Sequence, residues 1–468
     1  MENIKVRIAP SPTGVPHIGV TRTALFNFLF ARHNQGKFIL RIEDTDRERL
    51  IPESLPQILE ILRFLDIVWD EGPYYQSERL SLYQEFAKKL VEQEKAYFCF
   101  CTLERLDEVR YAQQKKGLPP KYDRYCLNFS REEVNKKILE GIPNTVRLKI
   151  PDKGETSWKD LVHGKITFKN SDLDDHILLK SDGWPTYHLA VVVDDYLMKI
   201  SHVLRGDEWI SSTPKHLILY QALGWQPPEF GHLPIVLGPD KRKLSKRHGA
   251  KSVLEYRNEG YLKEALVNFM AFLGWSPPSS AKATKGEKEQ EIFSLEELVE
   301  KFDIGDINPT SPIFNLEKLQ WFNEQWIKKL PDRDLRKRLE NFVPKIWDSE
   351  VIEELIPSAK ERMRTLKDFA KLSGYIFTKK IKVSLRPKEI KILRGFLAEV
   401  KKIKIWRAEK LREMSENFAK KIGLSNKELF MSIRKAISGK EVTLPLFESM
   451  EILGREEILK RIESAIKQ

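Results

Sequence analysis

The chain has 468 residues, 41% hydrophobic and 10% aromatic, with a formal net charge of +12; this supports two or three domains with substantial apolar cores and excludes a disordered chain. No run approaches the roughly 18 apolar residues that span a bilayer, and the opening Met-Glu-Asn-Ile-Lys lacks a signal peptide's apolar stretch, so a cytoplasmic protein with no membrane partner is expected. From Trp326 onward there are 35 Lys and Arg against 21 Asp and Glu, and before it 45 against 47; such a basic appendage reads as a site for a polyanion held through its phosphates, or as a lysine-rich solvated helical face.

In chain order, Ile4 to Ala9 alternates apolar and charged residues as a strand does and stops at the turn-forming Pro10-Ser11-Pro12-Thr13-Gly14. A helix is predicted over Thr21 to His33, where Ala24, Leu25, Phe28 and Leu29 recur at helical spacing and Gly36 is placed to end the run. Lys37 to Glu43 reads as a second strand, completing the opening of a nucleotide-binding α/β fold. Ser77 to Ile150 reads as an insertion, with an amphipathic helix at Leu80 to Val91 and all three cysteines, Cys99, Cys101 and Cys126. So sparse and odd a set argues against a disulfide framework. The α/β pattern resumes with apolar runs of buried-strand type at Ile177 to Leu179, Leu189 to Val193 and His202 to Leu204, then a helix start at Thr213-Pro214 before Leu217 to Leu223. Ser276 to Glu291 is expected to be a solvated loop, and beyond Trp326 helix-period segments dominate.

The chain contains no Gly-x-x-x-x-Gly-Lys-[Ser/Thr], so another phosphate device is needed. Pro10 to Val20, PSPTGVPHIGV, puts a turn and a helix start beside His17-Ile18-Gly19. There helix amides attract phosphate, a glycine permits close approach and an imidazole can donate to a phosphoryl oxygen. A cationic loop follows far downstream, GPDKRKLSKRHG, with Lys243, Leu244, Ser245, Lys246 and Arg247; mobile cations there can follow charge onto a departing pyrophosphate, and the plainer reading is an exposed basic loop.

With VRIAPSPTG, RTALFNFLFAR, RIEDTD, PTYHLAVVVDD and VLRGDEW in order between them, these segments resemble the bacterial glutamyl branch of the class I aminoacyl-tRNA synthetases, whose HIGH and KMSKS signatures correspond to His17 to Val20 and Lys243 to Arg247. Val20 stands for the second histidine, and Leu244 and Arg247 replace Met and the final Ser. The resemblance implies an α/β, Rossmann-type class I synthetase catalytic domain over residues 1–325, with halves of about 1–76 and 177–250. It also implies an inserted acceptor-binding domain at about 77–176, a stem-contact segment at about 251–325, and an all-α C-terminal anticodon-binding domain over 326–468, as one region or two subdomains.

The activity implied is glutamate–tRNA ligation in two steps: ATP with Mg²⁺ and L-glutamate give glutamyl-adenylate, and the 3′ end of tRNA(Glu) takes the acyl group, with tRNA(Gln) as a second acceptor in a non-discriminating enzyme. A monomer is expected. His17, Lys243 and Lys246 would be catalytic, with Pro10, Ser11, Gly19, Leu244 and Ser245 completing the ATP site. Arg7 and Tyr187 would meet the γ-carboxylate, Glu43 the α-ammonium and Arg205 the α-carboxylate, with Ser11 against the amino acid. Lys360, Arg362 and Arg364 are the anticodon candidates. Cys99, Cys101 and Cys126 match three ligands of a structural zinc site, with Tyr122 as the fourth because Asn128 occupies the usual histidine position; three incidental thiols are the alternative. A tRNA-binding paralogue without catalysis is the competing reading from a different class.

Overall fold

A computed structural model describes residues 4–244, 251–277 and 291–467. The chain forms two compact units, one of residues 1–254 and 266–315, the other of residues 255–265 and 316–468.

The first unit opens as the hydropathy pattern predicts. Strand β1 (Lys5–Ile8) leads into helix α1 (Ile18–His33), and the chain returns as β2 (Lys37–Ile42) and, after helix α2 (Ser54–Phe64), β3 (Glu71–Tyr75). The three strands run parallel in the order β1-β2-β3. Gly36 makes the return possible: a Cβ there would stand 2.5 Å from the carbonyl oxygen of Ile4, to which Lys37 donates at 2.9 Å.

Helix α3 (Leu80–Glu92) lies where the amphipathic spacing places it. The cysteine region comprises β4 (Ala96–Cys99), helices α4 (Leu103–Lys115) and α5 (Arg131–Leu139) and β5 (Thr145–Leu148). A β6–β7 hairpin follows (Glu155–Asp160 and Gly164–Lys169), then β8 (Ile177–Leu179), which completes an antiparallel sheet β4-β5-β8.

Leu189 to Val193, expected as a strand, is instead the middle of helix α6 (Tyr187–Leu197). Every residue from Leu189 to Asp195 is buried, so the helix shows no polar face and its β-branched run mimics a buried strand; tertiary burial overrides the propensity. After it come β9 (His202–Gly206), helix α7 (Thr213–Leu223) and β10 (Glu229–Leu233), with β9 and β10 parallel and β6 along the far side of β10. The backbone N–H of Ser201 donates to the Lys5 carbonyl at 2.9 Å and its Oγ accepts from the Lys5 N–H at 2.8 Å, setting β9 beside β1. The carboxyl ends of β1, β9 and β10 therefore converge where the strand order reverses, the place at which doubly wound sheets bind ligands.

The second unit is helical among its described residues, as expected beyond Trp326. The helices between Pro387 and Lys467 pack around Leu393, Phe396, Leu411, Ile433 and Ile462. The segment 255–265 is tied in by the Leu262 N–H donating to Asn323 Oδ1 at 2.8 Å. No helix among the described residues is long and apolar enough to cross a membrane.

Candidate active site

A cavity of about 290 Å³ opens at the carboxyl ends of β1, β9 and β10. Every described residue predicted for the nucleotide or the amino acid lines it: Arg7, Pro10, Ser11, His17, Gly19, Glu43, Tyr187, Arg205, Lys243 and Leu244. Ser245, Lys246 and Arg247 lie outside the described residues. The segments flanking them border the same region, because Val236 and Leu244 pair across a tight turn and the His17 backbone bridges to Ser252.

The end predicted for the nucleotide rests on helix α1. His17 is its N-cap, and its Nδ1 accepts from the Gly19 N–H at 3.1 Å, so a neutral ring carries its proton on Nε2. A Cβ at Gly19 would stand 3.0 Å from His17 Cε1; the glycine makes room for the imidazole itself. Lys243 Nζ meets Glu208 Oε2 at 2.9 Å, both half-exposed.

The end lined by the residues predicted for the amino acid is charged and largely buried. Arg7 on β1 is buried and donates from Nε and Nη2 to the two oxygens of Asp195, at 3.0 and 3.3 Å. Arg41 on β2 also reaches Asp195, at 2.7 Å, and Glu43 at 3.4 Å. Burial would raise the Asp195 carboxyl, but Arg7 and Arg41 hold it below its usual range. Glu43 goes the other way: burial outweighs the pull of Arg41 and Arg7 and pushes it up to about 7. Neighbouring Asp194 is engaged by Arg79, Tyr83 and Gln76 at 2.7 to 2.9 Å. The sequence reading missed Arg41, Asp194 and Asp195. The signal was present in two adjacent acids ending an apolar run, a pattern that needs buried cations.

Arg205 on β9 is buried against different partners. Its Nε donates to His232 Nε2 at 3.2 Å, Nη1 to the Tyr187 hydroxyl at 3.0 Å and to His216 Nδ1 at 3.3 Å, and Nη2 to Thr213 Oγ1 at 2.8 Å and the Trp209 carbonyl at 3.3 Å. Because the Tyr187 oxygen accepts from Arg205, the phenolic proton is left to donate elsewhere. Burial holds His216 well below the usual imidazole range and, with the positive charge of Lys215 and Arg205, lowers His188 to about 4.

In the cysteine region the three sulfurs lie within 4.8 Å of one another, and the Tyr122 hydroxyl is 3.3 Å from Cys99 Sγ and 3.4 Å from Cys101 Sγ. Asn128 is exposed. In the second unit, Lys360 turns inward to Asp332 Oδ1 at 3.0 Å and to the Leu330 carbonyl, whereas Arg362 and Arg364 are exposed on either side of buried Met363.

Residues 3–321 match the family described as tRNA synthetases class I (E and Q), catalytic domain, and residues 317–466 match an anticodon binding domain. The chain is 43% identical to a glutamate–tRNA ligase of Dehalococcoides mccartyi, covering 99% of this chain and 98% of the relative. It is 42% identical to that of Thermodesulfovibrio yellowstonii, covering 99% of both. The crystal structure of a glutamate tRNA ligase from Elizabethkingia meningosepticum in complex with its amino acid superposes with a TM-score of 0.88 at 34% identity, over 100% of this chain and 99% of that one.

Proposed function

Because the chain belongs to the class I tRNA synthetases for glutamate and glutamine, we propose that the cavity binds L-glutamate and ATP together and that the enzyme transfers glutamate to the 3′ end of tRNA(Glu). One observation supports the assignment of residues to roles: ten residues drawn from distant segments line a single cavity, among them the cations Arg7, Arg205 and Lys243 and the acid Glu43, the charge types that a zwitterion bearing a second carboxylate and a triphosphate call for.

Glutamate's α-carboxylate attacks the α-phosphorus of ATP, the bond to pyrophosphate breaks, and a terminal ribose hydroxyl of the tRNA then displaces AMP from the adenylate. The protein's part is to position reactants and stabilise charge. Arg7, locked on Nε and Nη2 by Asp195, offers Nη1 to the γ-carboxylate, and the Tyr187 hydroxyl donates beside it. Glu43, once ionised, holds the α-ammonium, and Arg205 faces the α-carboxylate. His17 Nε2–H and Lys243 serve the phosphates, with Ser245 and Lys246 completing the set. Mg²⁺ travels with ATP and neutralises its phosphates. A neutral side-chain amide leaves Arg7 without its second anion, which discriminates against glutamine.

Pyrophosphate exchange measured with glutamate, with and without tRNA, tests this reading; the expected result is exchange that requires glutamate and is strongest with tRNA present. Aminoacylation of purified tRNA(Glu) and tRNA(Gln) side by side measures the tRNA range. Arg362 and Arg364, exposed and paired with no carboxylate among the described residues, are the stronger anticodon contacts, with Lys360 bracing the helix end through Asp332. The thiol cluster fits a structural zinc ion, since three sulfurs and a phenolic oxygen converge on one point with spacings a tetrahedral site accommodates. The expected measurement is one zinc per chain by elemental analysis, lost in Cys101→Ser.

A further inference from the structure

Arg205 is a buried cation whose three guanidinium nitrogens meet only neutral acceptors; among the described residues no carboxylate pairs with it. Two of those acceptors are imidazole nitrogens, and because a guanidinium only donates, each must present a lone pair. His232 Nε2 accepts, so the His232 proton sits on Nδ1 and is donated to Asp160 Oδ2 at 2.5 Å. The other oxygen of Asp160 is fixed by three backbone donors, the N–H groups of Val162, His163 and His232, at 3.0 to 3.1 Å. On the opposite side His216 Nδ1 accepts from Arg205, so its proton sits on Nε2 and goes to His188 Nδ1 at 3.0 Å.

We infer that Asp160–His232 and His188–His216 are two positioning arms. Each fixes a histidine tautomer so that Arg205 is held with no carboxylate in direct contact, the buried Asp160 lying one imidazole away, and with its charge available to the carboxylate of the substrate. This rests on the glutamate-binding reading of the cavity. None of the four touches the reacting atoms; they act through Arg205, as the outer partners of a ligand fix its orientation and charge.

Asp160→Asn is the informative variant. The three backbone donors hold the amide oxygen where Oδ1 stood and turn its NH₂ toward His232 Nδ1, with loss of the longer Trp158 Nε1–H bond that Oδ2 accepts at 3.3 Å. The His232 proton is forced onto Nε2, against the N–H of Arg205, with almost no change in shape. Glutamate KM should rise by about 10- to 100-fold, the range that outer partners of a ligand carry, while ATP KM stays within about twofold. His232→Gln added to this variant places an amide oxygen near the former Nε2, with an orientation that residue 160 does not dictate, and should recover most of the lost glutamate affinity. A purely structural role for Asp160 predicts no such rescue and would overturn the inference, as would an unchanged glutamate KM. If Asp160→Asn does not fold, His216→Asn, which keeps an acceptor where Nδ1 stood, against His216→Leu, which has none, gives the same split: near-parental glutamate KM for the first and a raised one for the second.

Histidine ¹⁵N spectra of the full chain separate this inference from the functional reading. The parent should show His232 protonated on Nδ1 and His216 on Nε2, with His232 switching in Asp160→Asn. A parent that shows these tautomers but no glutamate-dependent exchange sinks the functional reading alone; the opposite tautomers sink the arms whatever the activity.

Discussion

Arg7 and Arg205 reach one cavity from neighbouring strands, yet Arg7 meets the carboxylate of Asp195 while Arg205 meets only neutral oxygens and imidazoles. The difference separates two uses of a buried guanidinium. Around Arg7 the charges nearly cancel, so the group is a rigid donor whose geometry is set before any ligand arrives. Around Arg205 the charge is solvated by dipoles and left to attract an anion, as preorganised electrostatic sites require. Removing a partner should therefore damage the fold in the first region and binding in the second.

The largest effect is expected from Asp195→Asn. It leaves Arg7 and Arg41 facing one another across a buried space without their shared anion, and breaking a buried pair in this way costs about 3–5 kcal/mol. Denaturant melts should show that loss; a shift no larger than that of an exposed pair, about 1 kcal/mol or less, would mean that water enters the site and that the contrast with Arg205 is not electrostatic. Next comes the pair Arg7→Ala and Arg205→Ala. Both should lower kcat/KM for glutamate by on the order of 100-fold, the scale of losing a desolvated charge contact. Arg7→Ala should also lower the melting midpoint more than Arg205→Ala, since it leaves the buried Asp195 with Arg41 as its remaining cation, whereas Arg205→Ala leaves only neutral acceptors. Equal midpoints for the two variants would erase the distinction.

How much of this was readable beforehand follows the same division. The groups proposed to meet ligand sit on short motifs, and Arg7, His17, Glu43, Tyr187 and Arg205 were all named from the family resemblance those motifs carry; they line one cavity. The groups that hold those residues were not. Asp195 ends a run of β-branched residues that pattern alone reads as a strand, and only burial on every side makes it a helix. Asp160 closes the first strand of a hairpin whose alternation is polar enough to pass for loop, and Glu229–Leu233 carries too few apolar residues to announce a strand. His216 and His232 are lone histidines in apolar surroundings, where a satisfied core residue is the ordinary expectation; their use emerges only from the distance to Arg205. Supporting contacts join residues far apart in sequence, so no local spacing encodes them.

A smaller and graded effect concerns Glu43, which burial pushes up to about 7. Below that value the side chain is protonated and has no charge for an ammonium; above it, the carboxylate form dominates. Glutamate affinity should therefore fall as pH drops from about 8 to about 6, by at most about tenfold per unit, and Glu43→Gln should be weak but flat across that range. Stability runs oppositely. Because the folded state holds this proton more tightly than the unfolded chain does, Glu43 contributes most below the ordinary carboxylate range, and that contribution is lost as pH rises through about 7. Activity that rises while the stability contributed by Glu43 falls over the same interval identifies a group placed for binding at the expense of the fold.

The smallest effect belongs to the exposed rim, where Glu208 and Lys243 pair at 2.9 Å with about half of each side chain in solvent. Neither partner is held as Asp195 holds Arg7, so Glu208→Gln should change stability by about 0.5 kcal/mol or less. It should still act on the nucleotide. Removing the carboxylate frees Lys243 and takes a negative charge from beside the position proposed for the phosphates, so ATP KM should fall, roughly twofold at low salt. Glutamate KM should not move, because the arginines proposed for the amino acid are buried away from the exposed rim. The ATP effect should shrink as salt approaches about 0.15 M, where charges more than about 8 Å apart in solvent are screened. The Asp195→Asn deficit, set in a buried network, should keep nearly its full size at the same salt. A rim effect that resisted salt would place Lys243 deeper than its exposure allows, and would extend the Arg7 regime to the mouth of the cavity.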